Sequence, residues 1–249
     1  MARLSVNLNK VALLRNARRT GVPDLAHFAR LALSAGAAGL TVHPRPDQRH
    51  IRDSDVPLLA GLLARHGHGA EFNIEGYPDE RLLSFAAAHR PAQITLVPDA
   101  PDAFTSEEGW HLDPAQMAVA QPAIAALRKL GCRVVLFIDP DPRVISRVAE
   151  SGAQGAEIYT GSYAEAMRDG SGEATALAAI AATARAALAA GLVVNAGHDL
   201  NLRNIPSLVA AVPDLAEASI GHELTADALE MGFAPAVAAY RAALAPGAE

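Results

Sequence analysis

Between residues 40 and 51 the chain reads LTVHPRPDQRHI. Leu40, Thr41 and Val42 have the pattern of the end of a buried parallel strand. His43, Arg45, Arg49 and His50 then arrive within eight positions. Pro44 and Pro46 rule out a helix there. A stiffened loop with imidazoles and guanidinium groups suits an anionic substrate, because guanidinium fixes phosphate and imidazole moves protons near neutral pH. The alternative is a solvated turn with scattered charge. Whether similar groups recur at other strand ends separates the two.

The elements that would position such groups alternate along the whole chain. Strands are predicted at Leu4 to Leu8, Leu40 to Val42, Phe72 to Ile74, Ile94 to Val97, Val134 to Ile138, Ala156 to Tyr159, Leu192 to Val194 and Ala218 to Ile220. Between them lie helical-period segments. One starts at Pro23-Asp24 with Leu25, Phe28, Leu31, Ala32 and Ala35 on one face, and Gly36 is placed as its left-handed cap. Others cover Asp55 to Arg65, Pro78 to His89, roughly 114–130, Pro142 to Ser151, the alanine-rich 174–190, Asn204 to Val212 and about Leu224 to Leu244. Residues 98–113 and the Gly- and Ser-rich 161–172 read as loops. An unbroken β–α alternation implies a parallel sheet with right-handed crossovers, and about eight units in 249 residues close as an α/β (β/α)8 TIM barrel. No linker divides the chain, so residues 1–249 form one domain. No Gly-x-Gly-x-x-Gly follows a strand, which disfavours an open dinucleotide-binding sheet.

In such a barrel the active site is built at the carboxyl ends of the strands. Collecting those positions yields Asn7 and Asn9 after strand one, His43 after two, Asn73 and Glu75 at three, Glu157 at six, Asn195 and His198 at seven, and Gly221-His222 at eight. His27, His66, His68, His89 and His111 fall on helices or loops and read as solvated or packed imidazoles. Gly197 and Gly221 lie where barrels hold phosphate on backbone amides. Arg18, in the first β–α loop, either reaches a phosphate or braces a helix, as Arg15 and Arg19 are expected to do.

Composition excludes several classes. The formal net charge of −6 and pI near 5.8 disfavour nucleic-acid and anionic-membrane partners. A single cysteine, Cys132, rules out an internal disulfide and fits a reducing cytoplasm. Asn7-Leu8-Asn9-Lys10 interrupts any apolar leader, and no run approaches membrane-spanning length. Schiff-base aldolases need a lysine at the mouth, and of the two lysines, Lys10 and Lys129, only Lys10 is placed for it. No His-x-His opens the first strand, and His43, Glu75, His198 and His222 lack short metal-ligand spacing. What remains is metal-free, cofactor-free acid–base chemistry on a phosphorylated carbonyl compound. A lysine aldolase through Lys10 and a non-catalytic sugar-phosphate-binding barrel stand as alternatives.

The stretches VNLNKVALLRNAR (6–18), TVHPRPDQRHI (41–51), NIE (73–75), LVP (96–98) with Thr105, EIYTG (157–161), NAGHDLN (195–201) and IGH (220–222) together resemble the pyridoxine 5'-phosphate synthase family of deoxyxylulose-dependent vitamin B6 biosynthesis. The resemblance runs in order from strand one to strand eight. It implies condensation of 3-amino-2-oxopropyl phosphate with 1-deoxy-D-xylulose 5-phosphate, closing a pyridine ring and releasing phosphate and water. By the same resemblance, His43 and Glu75 are general bases, His198 is a proton donor, and Glu157 stabilises a transition state. The amino-ketone phosphate meets Asn7, Arg18, Asp199, Gly221 and His222; the pentulose phosphate meets Asn9, Lys10, Arg45, His50 and Thr105. Homo-octamers with extra helices in the loops are also implied, and 161–172 is the loop with room for them. Family members often carry Asp-His where this chain has Asn9-Lys10, and glycine where it has Asp199.

Overall fold

The computed structural model describes residues 1–66, 69–99, 106 and 108–245. Eight parallel strands close in sequence order: β1 (Arg3–Asn7), β2 (Gly39–Val42), β3 (Glu71–Gly76), β4 (Gln93–Leu96), β5 (Arg133–Ile138), β6 (Gly155–Tyr159), β7 (Val193–Gly197) and β8 (Glu217–Ile220), which returns to β1. This is the (β/α)8 barrel that the alternation predicts. Helices α1 (Asn9–Asn16), α2 (Leu25–Ser34), α3 (Asp55–His66), α4 (Glu80–His89), α5 (Pro114–Lys129), α6 (Ile145–Ser151), α7 (Gly161–Asp169), α8 (Glu173–Ala189), α9 (Ile205–Ala211), α10 (His222–Met231) and α11 (Phe233–Ala243) surround it. Asp24, Asp79 and Asp113 each accept a backbone N–H at the start of α2, α4 and α5, and Gly152 ends α6 in the left-handed region.

Two local expectations are corrected, and one further helix appears. Residues 161–169 form α7 rather than loop; Tyr163 and Ala164 supply a buried face that a reading by glycine and serine content overlooks. Residues 9–16 form α1, held by a buried Arg15 that donates to both Asp55 oxygens at 2.7 and 2.9 Å. Arg15 therefore braces the helix as expected. The single closing helix is two, broken at Gly232, whose φ of 86° and ψ of 152° no helix accommodates.

Strand residues alternate between two environments. Val6, Leu40, Ile74, Leu96, Leu136 and Ile158 join the apolar core between sheet and helices. Their neighbours face the barrel interior and form a polar ladder: Ser5 Oγ to Thr41 Oγ1 at 2.7 Å, Asn73 to Thr41 at 3.4 Å, Thr95 to Asn73 at 3.2 Å, and Thr95 to Glu157 at 3.4 Å. Below it, Arg3 and Arg133 meet Glu71, while Gln93 donates to Glu217 at 3.3 Å. Branched apolar side chains usually fill such interiors. Here a hydrogen-bonded polar network fills the interior instead, leaving Asn195 Oδ1 without a partner among the described residues. Asn73 and Asn195, expected at the mouth, lie one layer deeper, with Asn195 donating to Gln93 Oε1 at 3.3 Å.

Candidate active site

The carboxyl ends of the strands open on a cavity of about 350 Å³, within the range of small-molecule sites. Asn7, Asn9, Lys10, His43, Arg45, His50, Glu75, Glu157, His198, Asp199, Gly221 and His222 all line it. Twelve residues scattered over the chain are thus brought to one rim. Arg18 is not among them; it is exposed in the turn after α1. Thr105 and His68 lie outside the described residues.

His43 and Glu75 form the centre. His43 is buried, and its Nδ1 stands 3.7 Å from Glu75 Oε2. Its backbone N–H donates to Asn9 Oδ1 at 2.9 Å, and Asn9 N–H donates to Asn7 Oδ1 at 2.9 Å. The two asparagines therefore place the histidine by a relay from β1. Asn7 Nδ2 and Ser219 Oγ each stand 3.5 Å from a Glu75 oxygen.

Burial decides the charge states. It pushes the Glu75 carboxyl up to about 7, against the opposing pull of Arg45 and with the help of Asp99. Burial also holds His43 well below the usual imidazole range, reinforced by Arg45, His50 and His198. Near neutral pH His43 is an uncharged base, and Glu75 is poised between its two forms. Glu157 is raised well above the carboxylate range by burial and by Glu75, which favours its protonated form. His50 falls to about 4 through burial and the nearby Arg45, Arg49 and Lys10. Its Nδ1 accepts the Ile51 N–H at 2.9 Å, so the neutral ring carries its hydrogen on Nε2.

Backbone geometry completes the far wall. His198 and Asp199 adopt φ of 84° and 54°, a left-handed pair unusual outside glycine. Thr160 Oγ1 donates to the carbonyls of Gly197 and His198 at 2.7 and 2.5 Å, and Asn204 Nδ2 donates to that of Asp199 at 3.0 Å. These bonds pin a strained turn at a functional rim. The His198 ring lies 5.3 Å from Tyr159 and 5.5 Å from Phe137, centroid to centroid. Gly197 leaves room for the Glu157 carboxyl, because a Cβ there would sit 2.3 Å from Oε1 and the carboxyl would have to turn aside. Helix α10 opens at Gly221 and His222, bringing its amino terminus to the cavity wall. Arg168 Nη2 stands 3.7 Å from Asp199 Oδ2 and so offsets that carboxylate beside the helix terminus.

Sequence reasoning missed Asp99 and Ser106. Arg45 Nη2 donates to Asp99 Oδ2 at 2.6 Å and to Ser106 Oγ at 3.3 Å, all three residues being buried. Asp99 follows β4 and so carries the same strand-end signal as the other rim residues. Nothing in the local sequence marks Ser106.

A closed parallel barrel with proton-carrying groups and cations gathered at its carboxyl rim defines an acid–base enzyme of the (β/α)8 class. Within that class the chain belongs to the family described as "Pyridoxal phosphate biosynthesis protein PdxJ", whose profile matches residues 4–246. It is 50% identical over 244 residues to the pyridoxine 5'-phosphate synthase of Allorhizobium ampelinum, covering 97% of each chain. To the protein of the same name from Mesorhizobium japonicum it is 49% identical, covering 96% of this chain and 97% of the relative. Solved structures match in fold alone. Tryptophan synthase from M. tuberculosis aligns with a TM-score of 0.65 at 13% identity over 98% and 94% of the two chains. Thiamine phosphate pyrophosphorylase from Pyrococcus furiosus aligns with a TM-score of 0.58 at 12% identity over 98% and 95%.

Proposed function

We propose that this protein condenses 3-amino-2-oxopropyl phosphate with 1-deoxy-D-xylulose 5-phosphate to close the pyridine ring of pyridoxine 5'-phosphate, releasing phosphate and water. The observation that carries this reading is the His43–Glu75 pair set in a cavity shared with Glu157 and His198. Imine formation, enolisation, dehydration and loss of phosphate all need protons taken from one atom and returned to another. Neutral His43 and half-ionised Glu75 take protons from carbon and nitrogen. His198 returns them to leaving oxygen, and protonated Glu157 donates a hydrogen bond to developing negative charge.

The two phosphates have separate anchors in this reading. Gly221, His222 and the start of α10, with Asn7 and the Asp199 backbone, take the amino-ketone phosphate; Asn9, Lys10, Arg45 and His50 take the pentulose phosphate. By the family resemblance Arg18 joins the first set and Thr105 the second. The partners are thus small phosphorylated molecules, in a homo-oligomer of the family's octameric kind. The compartment proposed is a reducing cytoplasm: Cys132 is buried, and among the described residues no helix is long and apolar enough to cross a membrane.

Supplying both phosphates and following pyridine absorbance and inorganic phosphate release tests the reading. Both signals appear in equal amounts if it holds. Trapping on Lys10 by borohydride would replace it with the lysine aldolase, and saturable ligand binding without turnover would leave a binding barrel.

A further inference from the structure

We propose that Asp99 is a positioning residue for this reaction: its ion pair with Arg45, closed by Ser106, holds Arg45 in the cavity wall that it shares with the His43–Glu75 pair. The proposal rests on the acid–base reading above and extends it to a residue which that reading leaves without a role. Asp99 is 9% exposed and Arg45 4%, and their contact is 2.6 Å. Such a pair is firm because unpairing either charge in a buried place is costly. Asp99 also lines a crevice of about 40 Å³ with His43, Arg45 and Glu75, and those three residues line the main cavity as well.

This placement ties two segments far apart in the chain. Arg45 sits in the proline-bounded loop after β2, and Asp99 stands just past β4, so the contact spans 54 positions. Ser106 donates to the same Asp99 oxygen and accepts from Arg45, locking the rotamers of both. An arginine so held can meet a phosphate oxygen from the cavity side without being drawn onto the general base.

The charges around Glu75 give this a measurable consequence. Glu75 is faced by His43 and Arg45 from the loop after β2, by Asp99 beyond β4, by Glu157 from β6 and by Glu217 from β8, with Asp79, which caps α4, and Arg81 of α4 also lining the crevice. Arg45 favours the Glu75 carboxylate and Asp99 opposes it. Removing the Asp99 charge therefore leaves the pull of Arg45 uncompensated.

Asp99→Asn and Asp99→Glu are compared with the parent protein by two readouts. One is the pH profile of kcat/KM with both phosphates; the other is the titration of the Glu75 carboxyl carbon by NMR in the ligand-free protein, assigned with Glu75→Gln. Asp99→Asn is expected to move both midpoints toward acid by about one pH unit, a tenfold change in proton affinity. Asp99→Glu is expected to return most of the shift. Arg45→Gln moves the Glu75 midpoint the other way, toward base, and carries the test if Asp99→Asn does not fold. A purely structural Asp99 would lower thermal stability and leave both midpoints in place, which overturns the proposal, as does an unmoved Glu75 in Arg45→Gln. If the parent protein makes no product, the carboxyl titration still decides the role of Asp99, and the failure falls on the catalytic reading alone.

Discussion

His43 Nδ1 and Glu75 Oε2 stand 3.7 Å apart at the ends of adjacent strands, one side chain buried and the other 13% exposed. Burial raises the acid to about 7 and holds the base well below its usual range, so near neutral pH neither is locked in its charged form. A pair left free to gain or lose protons in this way can serve several successive proton transfers.

Replacing His43 with alanine or Glu75 with glutamine is expected to lower kcat by about 10²- to 10⁴-fold while the circular dichroism spectrum is kept. Single-turnover product formation measures it. Full activity in both variants would remove the pair from the mechanism.

Glu75 acts as a base only when ionised, and its carboxyl is pushed up to about 7. The acid limb of kcat/KM is therefore expected near that pH and is absent from the residual rate of Glu75→Gln. An acid limb that stays in place in that variant would assign it to another group.

The same shift makes a stability prediction of definite sign. An acid whose folded value is raised binds its proton more tightly in the folded than in the unfolded chain. Its stabilising contribution is whole below the ordinary carboxylate range and is lost as pH rises through about 7. Glu75→Gln is thus expected to melt a few degrees above the parent at pH 8, and the gain shrinks toward pH 5. Calorimetry at the two pH values checks this; a gain larger at pH 5 would contradict it.

Gly197→Ala places a Cβ 2.3 Å from Glu157 Oε1. Because β7 is fixed by its neighbours, the carboxyl must turn aside. We expect roughly a tenfold or greater loss of kcat with a smaller fall in stability, of about 1–3 kcal/mol for overpacking. Denaturant unfolding beside steady-state kinetics separates the two effects.

Arg15→Ala leaves Asp55 buried without its cation and removes a 3.0 Å bond to the His50 carbonyl. The expected cost is about 3–5 kcal/mol of stability. A rise in KM for the pentulose phosphate should accompany it, since His50 loses its support.

The barrel itself was legible in the chain because each strand and helix writes a local period, and glycine or aspartate marks many of the turns. The rim residues were legible for the same reason: His43, Glu75, Glu157, His198 and His222 all follow from where strands stop. What local pattern could not show is α7, whose buried Tyr163 counts only once a neighbouring surface exists, or the split at Gly232, where packing chooses between one helix and two. Asn73 and Asn195 looked like mouth residues because a strand's end does not state how far its register carries it into the barrel. Types and order of reactive groups were thus written in the sequence. Their proton affinities, the Arg45–Asp99 pairing and the polar filling of the barrel arose only in the fold, because burial and charge proximity depend on distances between residues the chain keeps far apart.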